Sequence, residues 1–146
     1  MPPSPKEVVQ SWFNDAWNTG DEGAIDRLMA PSAEFHGLSS VEAQPIVGPQ
    51  SFKPLFRSFR LAFPDLRINI DRVLCEGDLV AVHLHITGTH LGDGLGIAPT
   101  SVPIDFWGMV IAQVRDGQIQ EGWNSFDFMS LYQQVGLLPS LGSQPQ

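Results

Sequence analysis

At 146 residues the chain is long enough for one domain with a substantial core and too short for two ordinary ones. An apolar share of 42% beside 16% charged residues excludes a disordered chain, and no apolar run approaches the roughly 20 residues of a membrane-spanning helix. Sixteen acidic against eight basic residues give a net charge of -8, which repels phosphate backbones and anionic lipid, so neither nucleic acid nor a membrane is expected as a partner. Met1-Pro2-Pro3-Ser4-Pro5-Lys6 carries no apolar secretory stretch and the single Cys75 has no second cysteine to pair with, so a cytoplasmic setting is expected.

Ser4-Pro5-Lys6-Glu7 is a capping box with Pro at the first helical position. Val8, Val9, Trp12, Phe13, Ala16 and Trp17 follow at helical spacing, which predicts a helix from Pro5 to Asn18. Gly20-Asp21 stops it and caps a short second helix through Ala24, Ile25, Leu28 and Met29, ended by Pro31, so a helical hairpin is expected. An extended piece, Ala33 to His36, leads into a loop through Pro45. Gly48-Pro49 then opens a third helix carrying Phe52, Leu55, Phe56, Phe59 and Phe63, with Pro54 tolerated near its first turn. Strands are predicted at Leu66 to Cys75, Leu79 to Thr89, Ile104 to Val114 and Ile119 to Phe126. Turns at Glu76-Gly77-Asp78 and Arg115-Asp116-Gly117 make hairpins, while Gly88 to Pro103 is a longer glycine-rich connection that reads as a mobile rim. Asp127 is placed to cap a last helix, Phe128 to Val135, stopped by Gly136. Residues 1–138 read as one domain and 139–146 as a loose tail. The economical architecture is α+β, a meandering antiparallel sheet with helices on one face.

Leu79 to Thr89 alternates, with Val80, Val82, Leu84 and Ile86 on one side and Ala81, His83, His85 and Thr87 on the other. Ile104 to Val114 is apolar on both sides, Phe106, Val110 and Ala112 opposing Trp107, Met109 and Ile111. Helices cover one face of a sheet; a second copy is the natural cover for the other, so a homodimer packed sheet to sheet is expected.

Several stretches, spread over nearly the whole chain, resemble the SnoaL-like family of polyketide and ester cyclases, within the nuclear-transport-factor-2-like superfamily. They are Ala16-Trp17-Asn18-Thr19-Gly20-Asp21, Met29-Ala30-Pro31 with His36, Ala62-Phe63-Pro64-Asp65-Leu66, Glu76-Gly77-Asp78, Gly88-Thr89-His90, Asp116-Gly117-Gln118-Ile119, Trp123 with Asp127, and Gln133-Gln134-Val135-Gly136. The resemblance implies a cone in which a curved sheet and the helices enclose a pocket for a small, largely apolar, polyketide-like molecule. It implies no single reaction, since such cones host cyclases, isomerases, epoxide hydrolases, dehydratases and non-catalytic proteins. It matches Asp127 to the acid/base of aldol-type cyclases, and His36 and His90 to family histidines. Where many relatives carry Arg five residues before Gly-Thr-His, this chain has His83, a titratable ring in place of a permanent cation.

Aldol cyclisation and allylic isomerisation both begin with removal of a proton beside a carbonyl, which needs a carboxylate or imidazole base in a dry pocket. Asp127 is the candidate base, expected to project into the cone with Trp123 and Ser125; its other reading is a plain helix cap. The enolate oxygen needs a donor, and His83, His85, Asn124 and the indoles of Trp107 and Trp123 are the candidates. His83 and His85 read either as a pocket pair or as a solvent-facing side. His36, His90 and Trp17 complete the candidate binding residues, although both histidines also read as ordinary loop residues. The aromatic residues of the first and third helices read as core that also serves as wall.

Gly77 with His83-Leu84-His85 resembles the opening of a cupin metal motif, but Thr89 and His90 stand where its Glu belongs, so no metal is expected. Gly92-Asp93-Gly94-Leu95-Gly96 links no strand to a helix and is no dinucleotide fingerprint, and no cofactor is expected. Cys75 reads as a core residue. Two functions fit this reading. One is a cofactor-independent lyase or isomerase acting on a polyketide-like or terpenoid carbonyl compound; the other is a non-catalytic binder of a small apolar ligand, kept open because Tyr132, the one Tyr, sits on the last helix. Epoxide hydrolysis ranks third, for want of a carboxylate pair with Arg.

Overall fold

The computed structural model describes residues 3–38 and 44–139. The expected tail from residue 140 onward and the middle of the loop before Pro45 lie outside the described residues. Helix α1 (Pro5–Ser11) starts on the expected capping box: the Glu7 N–H donates to Ser4 Oγ, and the Ser4 N–H donates to the Glu7 carboxylate, each at 3.2 Å. At Trp12 the helix widens into a π-helical segment that runs to Asn18. Its i→i+5 spacing brings Trp12 and Trp17 towards one side. Helix α2 (Glu22–Leu28) is capped by Asp21, whose carboxylate accepts from the Gly23 N–H at 2.9 Å.

The chain turns straight from α2 into strand β1 (Met29–His36), several residues earlier than the extended piece expected from Ala33. Pro31 falls in the stretch between Met29 and Glu34 where the ladder shifts register, so its missing N–H breaks no regular pairing. After β2 (Ile46–Val47) comes α3 (Gly48–Ala62), with Pro54 inside the helix and beyond the first turn where it was expected. Then follow β3 (Arg67–Glu76), β4 (Leu79–Thr89), β5 (Pro103–Arg115), β6 (Gln118–Phe126) and α4 (Phe128–Gln134).

The six strands form one open sheet in the order β2-β1-β6-β5-β4-β3. The hairpin-linked strands are antiparallel as expected, but β1 lies parallel to β6, so the sheet is mixed. No hairpin joins β1 to β6, and the two meet across a separation of 85 residues between His36 and Glu121.

The helices lie on one face and the core forms there. Val80, Val82, Leu84 and Ile86 of β4 and Ile104, Phe106, Val110, Ala112 and Val114 of β5 are buried against Val8, Val9, Trp12, Phe13, Phe52 and Phe56. Each large side chain so covered contributes about 1.5–3 kcal/mol. The Asn18 side chain fastens the π-helical segment to β3 by bonding the Ile68 backbone twice, donating to its carbonyl at 2.8 Å and accepting from its N–H at 2.7 Å. The glycine-rich connection is packed rather than a free rim. A Cβ on Gly92 or Gly94 would fall 1.9 Å from the carbonyl oxygen of Leu61 or Ser58, so the loop backbone lies directly on α3. Cys75, expected in the core, is exposed near the end of β3.

Candidate functional site

Between the helices and the inner face of the sheet lies a cavity whose empty space, counted out to its open mouth, is about 530 Å³. Trp12, Phe13 and Trp17 of the π-helical segment form one wall, and Phe52, Leu55 and Phe59 of α3 form another. Ile86, Phe106 and Phe126 supply the sheet side, with Phe128 at the start of α4. Trp17 packs edge-on to Phe52 at 5.9 Å and against Phe56 at 4.9 Å, which fixes the indole. Among the described residues no titratable side chain lines this space, and Asn124 is its one amide. Its Nδ2 donates to the carbonyl of His36 at 2.9 Å, which points the remaining polar end of the amide, Oδ1, away from that bond. Of the residues expected to bind a ligand, Trp17 and Asn124 therefore meet at the cavity.

The others lie elsewhere. His83 and His85 share the outer face of β4, opposite Val82, Leu84 and Ile86, so the expected pocket pair is outside the cavity. Both imidazoles stack on the Trp107 indole, at 4.6 and 4.3 Å between ring centres, which places Trp107 on that face too. His85 Nε2 lies 2.7 Å from Asp105 and His83 Nδ1 lies 3.5 Å from Asp71, so each ring has its own carboxylate neighbour.

Trp123 and Ser125, expected inside the cone, also point outwards. The reason is a bulge. Ile119 pairs with Val114 on the inner face, but Glu121 pairs with Gln113 on the outer one, so counting by twos from Ile119 gives the wrong side beyond it. Gly122, Asn124 and Phe126 face inwards instead. Asp127 caps α4, its Oδ1 accepting from the Ser130 N–H at 3.0 Å, and it is exposed.

His36 stands on the outer face with its Nε2 2.7 Å from Glu121 and its ring stacked on Trp123. His90 is fully buried without touching the cavity. Its Nδ1 accepts from the Thr100 N–H at 3.2 Å, its backbone bonds Val102 and Ser101, and it ties the two ends of the glycine-rich connection together. The neighbouring Thr89 donates to Asp65 through its N–H at 2.7 Å and its hydroxyl at 2.8 Å. Burial pushes the Asp65 carboxyl up, but these bonds, its own backbone N–H and the Arg60 charge outweigh that and hold it below its usual range.

Sequence reasoning missed the sheet-side wall of Phe106, Phe126 and Phe128. The signal was there in Phe126-Asp127-Phe128, where two apolar rings flank the acid at the point where the strand becomes a helix.

The model of the SnoaL-like polyketide cyclases matches residues 7–135. The chain belongs to that family. IdmH, a candidate polyketide cyclase from Streptomyces antibioticus, is 26% identical with a TM-score of 0.79 over 92% of this chain and 99% of its own. AclR, a candidate hydroxylase from Streptomyces galilaeus, is 25% identical with a TM-score of 0.80 over 94% and 83%. A candidate polyketide cyclase from Bacillus cereus is 30% identical with a TM-score of 0.75 over 90% and 79%. No curated protein matches. Among the described residues, no helix is long and apolar enough to cross a membrane.

Proposed function

We propose that the cavity takes up a small polyketide-like or terpenoid carbonyl compound and that the chain acts on it as a cofactor-independent cyclase or isomerase. The observation that carries the binding half is the lone Asn124 amide in an otherwise apolar, aromatic wall. Such a wall holds a hydrocarbon frame, and the amide gives one oxygen a fixed place. Membership of the cyclase family supports the reaction class, and a flexible chain folded into this space loses much of the entropy that opposes ring closure. An acid/base step falls to Asp127, which sits between the wall residues Phe126 and Phe128. To take a proton from a bound ligand its side chain has to leave the Ser130 N–H and turn towards the space that Phe126 and Phe128 line.

The test is a panel of such compounds, with binding read from the fluorescence of Trp12 and Trp17 and turnover read by mass spectrometry. Turnover that disappears in Asp127→Asn while binding persists supports the reading; full turnover in that variant removes Asp127 from the mechanism. The second reading, a non-catalytic binder, is favoured by His83 and His85 facing away and by the capping role of Asp127. It predicts saturable binding and no product from any bound compound.

A homodimer through the outer face of the sheet goes with either reading. Leu74, Ala81, Ile111 and Trp123 form one cross-strand row there, with Met109 and Trp107 beside it. Ile111→Glu is expected to halve the mass measured by light scattering; a wild type that is already monomeric overturns the dimer. The exposed, unpaired Cys75 suits a reducing, cytoplasmic setting.

A further inference from the structure

On the outer face, away from the cavity, Glu34 and His36 of β1 and Glu121 of β6 each offer one ligand atom, and these atoms all lie within 4.8 Å of one another. We propose that these three side chains bind a divalent ion of the zinc class and that the ion clamps β1 to β6.

The geometry comes from the parallel seam. Glu34 and His36 are two residues apart and so project from the same side of β1, and Glu121 stands opposite Glu34 in the ladder. The two strands thus offer three ligands from a rigid base. The imidazole lies on the Trp123 ring at 5.9 Å and 20°, and the backbone that carries it is fixed by Asn124, which donates to the His36 carbonyl at 2.9 Å. A ligand whose orientation is fixed in advance binds metal more tightly.

The charge balance points to a cation. Two carboxylates face each other across the ladder, where like charges repel. Among the described residues neither is paired with Lys or Arg, and His36 alone, at 2.7 Å from Glu121, stands between them. Among the described residues Glu34 has no such partner. A neutral imidazole with two carboxylates suits zinc or cobalt better than calcium or magnesium, which take oxygen ligands. Bonds of about 2.0–2.2 Å around one tetrahedral ion set the ligand atoms about 3.3 Å apart, so the ion takes the place of the hydrogen bond between His36 and Glu121, which part slightly from 2.7 Å, while rotation of the exposed Glu34 side chain brings the third ligand in.

The ion ties the sheet at its irregular parallel seam. β1–β6 is the parallel pair, and its register shifts between Met29 and Glu34. With three protein ligands on the side of the sheet opposite the cavity, the ion acts on the fold and not on a compound bound inside. The inference is independent of the proposed reaction.

The test uses the full chain stripped with a chelator and then titrated with Zn²⁺ by calorimetry and with Co²⁺ by visible absorption. One ion per chain is expected, with a rise in melting temperature that Zn²⁺ gives the wild type. Glu34→Gln and Glu121→Gln are each expected to weaken binding by at least about tenfold and to abolish that rise, while His83→Gln with His85→Gln changes neither. Circular dichroism of the metal-free variants shows whether they fold, and Glu34→Gln, at an exposed position, is the variant chosen to keep the fold. No saturable uptake by the wild type, uptake unmoved by both Gln variants, or uptake lost with His83 and His85 each overturns the proposal.

Discussion

Strand β5 shows the same kind of residue in two situations. Phe106, Val110, Ala112 and Val114 face the helices and are at most 6% exposed, whereas Trp107, Met109 and Ile111, as apolar as they are, stay 41%, 58% and 47% exposed. Hydrophobicity does not decide which side becomes the core. Topology does, because α1, α2 and α3 all arrive on one face and, among the described residues, no helix covers the other. The inner face is spent on core and cavity; the outer face keeps apolar surface of the kind that marks an interaction site.

The largest effect that separates the two faces is a pair of truncations. Leu84→Ala, at a fully buried inner position, is expected to lower stability by about 2–5 kcal/mol in urea denaturation. Met109→Ala on the outer face is expected to stay within about 0.5 kcal/mol at a protein concentration too low for association. Comparable losses from both would break the comparison.

Gly108 sharpens it from the cavity side. A Cβ there would fall 2.1 Å from the Phe126 ring, so Gly108→Val pushes that ring out of the wall. The expected cost is about 1–3 kcal/mol from overpacking, with weaker ligand uptake in the fluorescence titration. Smaller again is Asp127→Ala, which removes the cap of α4 and is expected to cost about 1 kcal/mol, read as a lower melting temperature.

The smallest effect is one of pH. The folded Asp65 carboxyl titrates below its unfolded value, so its bonds to Thr89 stabilise the fold fully above the unfolded pKa, near 4, and are lost as pH falls through the depressed folded value. The stability gap between wild type and Asp65→Asn is therefore expected near neutrality and should close in acid; a gap independent of pH would assign those bonds no titrating role.

Much of this fold was legible because its signals are local. The capping box at Ser4, the alternation along β4 and the two hairpin turns each act within a few residues, and all stand close to where the pattern put them. The site was less legible for two physical reasons. Alternation shows that His83 and His85 share a face but not that the cavity lies on the other. The bulge before Glu121 then inverts the parity of Trp123 and Asn124, with no residue in β6 to announce it. The pairing of His36 with Glu121 spans 85 residues and has no local signature at all.

The parallel seam also sets an order of assembly. β3, β4 and β5 pair with neighbours in the chain and can zip together as each hairpin is completed, but β1, made early, waits for residues 119–123 before its inner edge has a partner. Closing so long a loop is slow, and the last step in folding is expected to be the docking of β1 on β6. Until β6 leaves the ribosome, Phe35 has no Gly122 to lie beside, and one wall of the future cavity remains bare.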